Sequence, residues 1–465
     1  MRLFKTTSIY FIGIIIEKGL AFMLIPLYTH YLSTTDYGIL TIIQSIIAIL
    51  IILFSLSFNG SASRYHIYGN SIFRRYHYGN IFSYVTIFSL IGASLFYIFG
   101  DYILNFFKIP FYPYAPLAIA ISYLSIIYSI YQLKLQMEQK ALAYVFNNIA
   151  KFIISTSLII YLIVVAHKSV DGVLFGMLLG FLLLVIYFIA TLKRDEIRFN
   201  LNRKLFKKYY KYSIYLVPHN LAGVLNSFLD RFFITGMMNL SQAGIFALGG
   251  QIAGVLSIFS SAINSAITPI VLNAYKSKDY NFLINLANIS ILFILLMAVF
   301  LSIFSLDIIH LVSPKSYAQA SFVLSILGFY FVVQMYYFMT SSVLFYVEKA
   351  TKYVAVATLL SLGLNFIFNY FFIKLWGIKG ASFATLLSMI IVNYIVIFIA
   401  NRFIKIEFEH IKIHLFVILG FIVSYMSNIF NFGGFIKCFI FIFFTSLIIY
   451  SEWKNPLIKS LRGKF

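Results

Sequence analysis

This 465-residue chain is short of charge and of cysteine. It has one cysteine, Cys438, which excludes an internal disulfide and a cysteine-rich metal site. Charged residues make up 11% of it, and only 14 are acidic, whereas soluble domains carry about 25% charged residues. Gly-rich phosphate loops, His-Glu-x-x-His pairs and Cys/His clusters are all missing, so no metal site is expected. No long polar loop carries paired carboxylates or histidines for catalysis. What is abundant is apolar: 62% of residues are hydrophobic and mean hydropathy is +0.93. A water-soluble globule of this size cannot hide that surface, so the solvent for most of the chain is lipid. Soluble enzymes and nucleic-acid-binding proteins are excluded.

Apolar runs separated by short polar breaks predict an all-α integral membrane protein with about 14 transmembrane helices, each needing roughly 20 residues. The runs are 9–29, 38–58, 80–100, 114–133, 145–166, 170–192, 212–235, 242–268, 282–304, 319–345, 354–373, 380–400, 413–430 and 434–451. They are apolar on all sides, which rules out the alternating pattern of barrel strands. The first run has a basic start and no Ala-x-Ala cleavage site, and reads as an uncleaved helix. The net charge of +21 is explained by topology. With the N-terminus inside and alternating spans, 26 of the 35 basic residues fall on inside segments and six on outside ones. Basic residues concentrate on cytoplasmic loops, so both termini are expected there, and no nucleic acid partner is needed.

The most charged break, 193–211, lies between the sixth and seventh spans, and short motifs recur on either side of it. Leu32-Ser33-Thr34-Thr35-Asp36-Tyr37-Gly38-Ile39 is echoed by Leu240-Ser241-Gln242-Ala243-Gly244-Ile245, at an offset of 208 at Leu and 206 at Gly. Gly172-Val173-Leu174-Phe175 is echoed by Gly380-Ala381-Ser382-Phe383 at 208. The expected organisation is therefore an N-terminal six-helix bundle (1–192), a cytoplasmic basic linker (193–211), a C-terminal six-helix bundle (212–400), and an extra helix pair 13–14 with a cytoplasmic tail (401–465). Six is even, so the two bundles are parallel repeats, an arrangement that belongs to transporters.

Charges at bilayer depth cost about 2.5–3.5 kcal/mol each on insertion scales and mark functional sites or partners. Glu17 and Lys18 lie in the first run, Lys151 in the fifth, Asp230 and Arg231 in the seventh, and Arg64 at the inner end of the second. The functional reading makes Lys18, Arg231, Arg64 and Lys151 cavity cations for an anionic head group, since Lys and Arg donate well to phosphate oxygens. The bland reading is interhelical ion pairing, such as Asp230 with Lys18, or snorkelling of Lys151 and Arg64 to the interface. Glu17 and Asp230 are either coupling carboxylates, carrying H+ or Na+, or counter-ions. Pro26, Pro218 and Pro269 are expected to kink or break their helices and are hinge candidates.

The charged first helix, the Leu27-Tyr28-Thr29-His30-Tyr31-Leu32-Ser33-Thr34-Thr35-Asp36-Tyr37-Gly38-Ile39 segment and the later Asp230-Arg231-Phe232-Phe233-Ile234 with Leu240-Ser241-Gln242-Ala243-Gly244-Ile245 resemble the Wzx-type polysaccharide flippases of the multidrug/oligosaccharidyl-lipid/polysaccharide exporter superfamily. That resemblance implies a MATE-like fold in the bacterial cytoplasmic (inner) membrane, and alternating access. It implies a substrate, undecaprenyl-diphosphate-linked oligosaccharide, flipped from inner to outer leaflet for O-antigen, capsule or exopolysaccharide assembly. It implies no bound cofactor, contact with membrane lipids, and other polysaccharide-assembly membrane proteins as partners. Helices 13 and 14 would help form a groove for the lipid tail. Three rivals stand beside it. A MATE-like drug or small-molecule antiporter would favour an acidic cavity. A major facilitator would carry Gly-x-x-x-Asp-Arg where Gly60-Ser61-Ala62-Ser63-Arg64 stands. A polytopic glycosyltransferase or polymerase would need a large outer loop.

Overall fold

The computed structural model describes residues 13, 19, 22–67, 69–191, 197–350, 352–405, 410–430 and 432–452. Among the described residues every regular element is helical. The chain divides into two compact units, Met1–Phe228 and Leu229–Phe465. Ten described helices are long and apolar enough to cross a membrane by length and composition.

The first unit begins with helical residues 22–31 (α1) and continues with α2 (Thr34–Ser55), α3 (Phe58–Ile67), α4 (Ser71–Phe106), α5 (Tyr114–Met137), α6 (Ala141–Ile160), α7 (Val170–Thr191), α8 (Arg203–Ser213) and the start of α9 (Leu216–Met237). The start of α2 is set by a reciprocal cap. Asp36 N–H donates to Ser33 Oγ at 3.1 Å, and Asp36 Oδ2 accepts from Ser33 N–H at 3.2 Å, satisfying two otherwise orphaned donors. Its end is set by Leu56 and Ser57, both left-handed at φ 45° and 55°. That break puts Arg64 on a separate short helix and not at the end of the second span. α2 is the inner helix, with 67% of its apolar window buried, while α4 is lipid-facing at 28%. α4 has 36 residues, about 54 Å at helical rise, so it outruns a hydrocarbon core of roughly 30 Å.

α8 belongs to this unit because of what it touches. Phe206 stacks on Tyr84 at 4.4 Å between ring centroids and meets Phe58 edge-on at 6.2 Å. Tyr209 is fully buried, and its hydroxyl lies 2.6 Å from His77 Nδ1. His77 Nε2 donates to the Ala62 carbonyl at 3.0 Å, so in the neutral ring Nδ1 accepts from the tyrosine. Ser213 and Ser61 hydroxyls bond at 2.6 Å, and Asn220 donates to Ser57 at 3.0 Å. These contacts bring the basic linker and the first turns of α9 into the first unit. The division accordingly falls inside α9, and not at the linker 193–211 where the charge pattern placed it.

The second unit holds the rest of α9, then α10 (Leu240–Ala253), α11 (Val255–Ser277), α12 (Tyr280–Ile303), α13 (Ser305–Val312), α14 (Ala320–Tyr346), α15 (Lys352–Ala400), α16 (His410–Ile429) and α17 (Gly434–Ser451). α14 is central and packs on α10, α11, α12, α13 and α15. Ile291, Leu295, Ala298, Met335 and Val396 form the tightest part of the core. Lipid is as apolar as leucine, so close packing and buried polar bonds hold such helices together. α10 is capped by Asn239, which accepts from Gln242 N–H at 2.9 Å. Caps Ser33 and Asn239 are 206 apart, matching Gly38 and Gly244. The Leu-Ser echo at 208 is displaced, since Leu32-Ser33 precede their helix and Leu240-Ser241 open theirs.

The proline expectations fare differently. Pro218 is the third residue of α9, in the first turn, where a missing N–H costs no helical bond. Helical residues run on past Pro26 and Pro269. Thr29 Oγ1 donates to the Ile25 carbonyl at 3.0 Å, and His30 Nδ1 to that of Pro26 at 2.8 Å. Two interruptions occur at glycine. Gly254 separates α10 from α11. Gly377, at φ 58° and ψ −135°, folds α15 into two antiparallel arms, so that Asn365 donates to Thr385 at 3.2 Å. Three residues on, a Cβ at Gly380 would stand 1.9 Å from the Phe372 carbonyl oxygen, whereas one at Gly363 would meet nothing within 4 Å.

Gly380→Ala is therefore expected to lower the thermal midpoint of the purified protein, at a cost of about 1–3 kcal/mol from overpacking. Gly363→Ala should leave it unchanged or raise it, by about 0.4–1 kcal/mol of unfolded-chain entropy. Equal behaviour of the two variants would contradict the tight turn.

Candidate functional site

The strongest polar constellation in the second unit is built on Asp230. This carboxylate is 6% exposed in the middle of an otherwise apolar helix pair. Its Oδ1 accepts from Asn369 Nδ2 at 2.6 Å, and its Oδ2 from Thr385 Oγ1 at 2.8 Å. Asn369 Nδ2 also lies 2.9 Å from the Asn365 carbonyl and 3.0 Å from Asn365 Oδ1. The α15 hairpin makes this possible: Asn365 and Asn369 are one turn apart on its first arm, and Thr385 projects from the second. A carboxylate only accepts, so the Asn369 amide must turn its nitrogen inward, and the threonine proton is drawn to Asp230 in preference to the Ala381 carbonyl at 3.2 Å.

The result is a cluster of oxygen: two from Asp230, the side-chain oxygens of Asn365, Asn369 and Thr385, and the Ala381 carbonyl. Asn369 Oδ1 is buried without a hydrogen-bond partner among the described residues. A buried carboxylate with a spare buried acceptor beside it is chemically suited to taking up a proton or a hard monovalent cation. No group of three or more His, Cys, Asp or Glu that could hold a metal ion occurs among the described residues.

Arg231 follows Asp230 and is half-buried, but neighbours on a helix point about 100° apart, and the Asp230 oxygens are bonded to Asn369 and Thr385. Glu17 and Lys18 lie outside the described residues. In the first unit, Lys151 is half-buried on α6, with its ammonium 5.5 Å from the Tyr128 ring centroid and 5.8 Å from that of Phe181. Beside it Tyr128 donates to Asn148 Oδ1 at 2.7 Å, as does Gln132 Nε2 at 2.7 Å. Lys151 is thus turned into its bundle onto aromatic faces. Arg64 is exposed on α3 and stacks on Tyr212 of α8 at 4.6 Å. It anchors the linker and does not line a span.

Other ionic groups secure element ends. Glu138 in the α5–α6 turn pairs with Lys134 at 3.1 Å and Lys140 at 2.8 Å. Burial pushes its carboxyl up, but the two lysines more than offset this and hold it below the usual carboxylate range. In the second unit the last two helices are tied at both ends. Lys437, buried in the first turn of α17, pairs with Asp307 of α13 at 2.6 Å, and Lys412 of α16 pairs with Glu452. Between α16 and α17 lies an apolar hollow of about 280 Å³ lined by Leu419, Val423, Met426, Phe439, Phe443 and neighbours.

Of the residues the sequence singled out, the structure joins Asp230 to a network and leaves Lys151 and Arg64 apart from it. The asparagines and the threonine were missed. Their signal was there: Asn365 and Asn369 are the polar residues of one face, four apart, in an apolar helix.

Comparison with known proteins adds the following. The family model described as polysaccharide biosynthesis protein matches residues 3–274, and the MatE model matches 216–371. A relative from Haloferax volcanii named "Probable low-salt glycan biosynthesis flippase Agl15" is 24% identical over 62% of this chain and 62% of its own. The solved lipid II flippase MurJ, in an inward-closed conformation, superposes with a TM-score of 0.73 at 16% identity, over 96% of this chain and 99% of that one. An inward-facing multidrug resistance MATE family transporter of the MOP superfamily gives 0.62 at 16% identity, over 83% and 94%. These two likenesses establish the fold.

The network makes a specific prediction. Thr385→Val and Asp230→Asn should each destabilise the protein, Thr385→Val by about 1–3 kcal/mol for a lost bond to a buried charge. In the double variant the losses should fall short of additive by at least about 0.5 kcal/mol, read from thermal unfolding in detergent. Strict additivity would contradict the bond.

Proposed function

The chain belongs to the polysaccharide biosynthesis protein family, and from that premise we propose what it carries and how the movement is driven. It is a multi-pass flippase of the MOP superfamily. Its substrate is undecaprenyl-diphosphate-linked oligosaccharide, moved from the inner to the outer leaflet of the bacterial cytoplasmic membrane for O-antigen, capsule or exopolysaccharide assembly. Both termini are cytoplasmic. The likeness of the whole chain to a lipid II flippase supports this reading, as does the glycan biosynthesis flippase among its relatives.

The observation that carries the mechanism is the Asp230 cluster. A carboxylate in a dry bundle, with Asn365, Asn369 and Thr385 around it and a spare buried acceptor, is where a coupling H+ or Na+ would be held. Neutralising Asp230 removes an expensive buried charge, so occupancy biases the bundle between two packings. That is the energy source needed for alternating access. In the first unit Lys18 and Lys151 are the cations offered for the diphosphate, and in the second unit Arg231 is; the apolar hollow between α16 and α17 serves the lipid tail.

The test is glycan display in cells that depend on this chain, with folded protein quantified in the membrane. Lys18→Gln, Lys151→Gln and Arg231→Gln should each cut display about ten- to a hundredfold, the value of a charge-assisted bond. Asp230→Asn should abolish its dependence on the cation gradient. Full display in all four variants, at normal protein levels, would refute the reading. The MatE match over 216–371 supports a second reading, a small-molecule antiporter. Efflux of an organic cation with unchanged glycan display would favour it.

A further inference from the structure

α8 presents a surface that the transport reading does not use. Lys204, Lys207, Lys208 and Lys211 recur at i, i+3, i+4 and i+7, which puts them on one face of a helix. All four are exposed. The opposite face, Phe206, Tyr209 and Ser213, is the one that packs into the first unit. Among the described residues no carboxylate pairs with these lysines. Within the stripe, Lys208 lies over the Tyr65 ring, at 4.5 Å.

Topology alone does not require this arrangement. The rule that retains basic residues on the cytoplasmic side counts charges in a loop and is indifferent to where they point. Setting four lysines on one stripe makes neighbours repel, and an anionic partner relieves that repulsion. The flanks point to which one. Phe199, Leu201, Tyr210 and Tyr215 are exposed, Tyr215 by 77%, on a segment where a water-facing loop has no use for them. Apolar and aromatic residues beside a basic stripe are the composition of a helix lying in a membrane interface. Connectivity places it there: α7 ends at Thr191, and only two residues separate Ser213 from the start of α9.

We propose that α8 is a binding site for anionic phospholipid head groups of the inner leaflet, with the four lysines contacting phosphates and the flanking aromatics seated at head-group level. The stripe extends over seven residues, about 10 Å along the axis. That reach suits a row of head groups and exceeds one compact diphosphate. Because Tyr209, Phe206 and Ser213 fasten α8 to α3 and α4, lipid held on one face is mechanically joined to the cytoplasmic end of the first unit.

The experiment uses the full chain in nanodiscs of phosphatidylcholine with a minor fraction of phosphatidylglycerol. The ratio of the two lipids retained on purification is measured by mass spectrometry. Wild type should be enriched in phosphatidylglycerol, and high salt should remove most of that enrichment. Juxtamembrane lysines contribute about fivefold each at most. Changing all four to Gln should therefore lower it by roughly tenfold or more, while changing all four to Arg preserves it. No enrichment in wild type, salt-insensitive enrichment, or equal enrichment in the Gln variant would overturn the proposal. Should the Gln variant fail to fold, the salt series on wild type and the Arg variant decide it. None of these measurements involves transport, so failure here leaves the flippase reading standing, and the reverse.

Discussion

A polar group inside a hydrocarbon medium must find its partner within the chain, because the solvent supplies none. Much of this structure follows from that constraint. Backbone groups are satisfied by helices, and helix ends by Ser33, Asn70, Asn202, Asn239 and Asp279, whose side chains accept from the first free N–H groups. Buried side chains are bonded in sets: Asp230 with Asn369 and Thr385, Tyr128 with Gln132 and Asn148, His77 with Tyr209 and Ala62. Lys437 finds Asp307. Polar residues become, in effect, the specific adhesive between helices whose apolar faces would accept lipid equally well.

The constraint also separates two kinds of buried charge. Lys437 and Asp307 have each other, and their bond fixes α17 to α13. Asp230 accepts its hydrogen bonds from the neutral groups Asn369 and Thr385, and Asn369 Oδ1 beside it has no hydrogen-bond partner among the described residues. A pair of the first kind is a fastening. A site of the second kind is under tension that protonation or a cation relieves, and its energy differs between filled and empty states.

Much of the fold was legible in the sequence. Thirteen of the expected spans overlie described helices almost throughout, because 18 or more apolar residues have few alternatives in lipid. The echo of Gly172 in Gly380 was visible, whereas the Ser33–Asp36 cap emerged only with the structure. The errors share a physical cause. Pro218 was read as a kink when it occupies a first turn, which depends on where the helix starts. Arg64 was read as the end of a span when Leu56 and Ser57 break the chain before it. The unit boundary was placed at the charged linker, but Phe206, Tyr209 and Ser213 bind that linker to the first unit. Each error turned on a local backbone choice or a long-range contact that composition does not encode.

By itself the sequence determined the solvent, the approximate apolar helices, and the presence of charged residues within them. These are sums over local composition, and the transfer energies behind them are large. Only the tertiary structure decided which charges have partners. Asp230 meets Asn369 and Thr385 across more than 130 residues because Gly377 folds α15 back on itself. Lys204, Lys207, Lys208 and Lys211 become an exposed stripe because the other face of α8 is occupied. Scarcity of charge was the first thing to be read from this chain. Its use is set by where the fold brings each charge to rest.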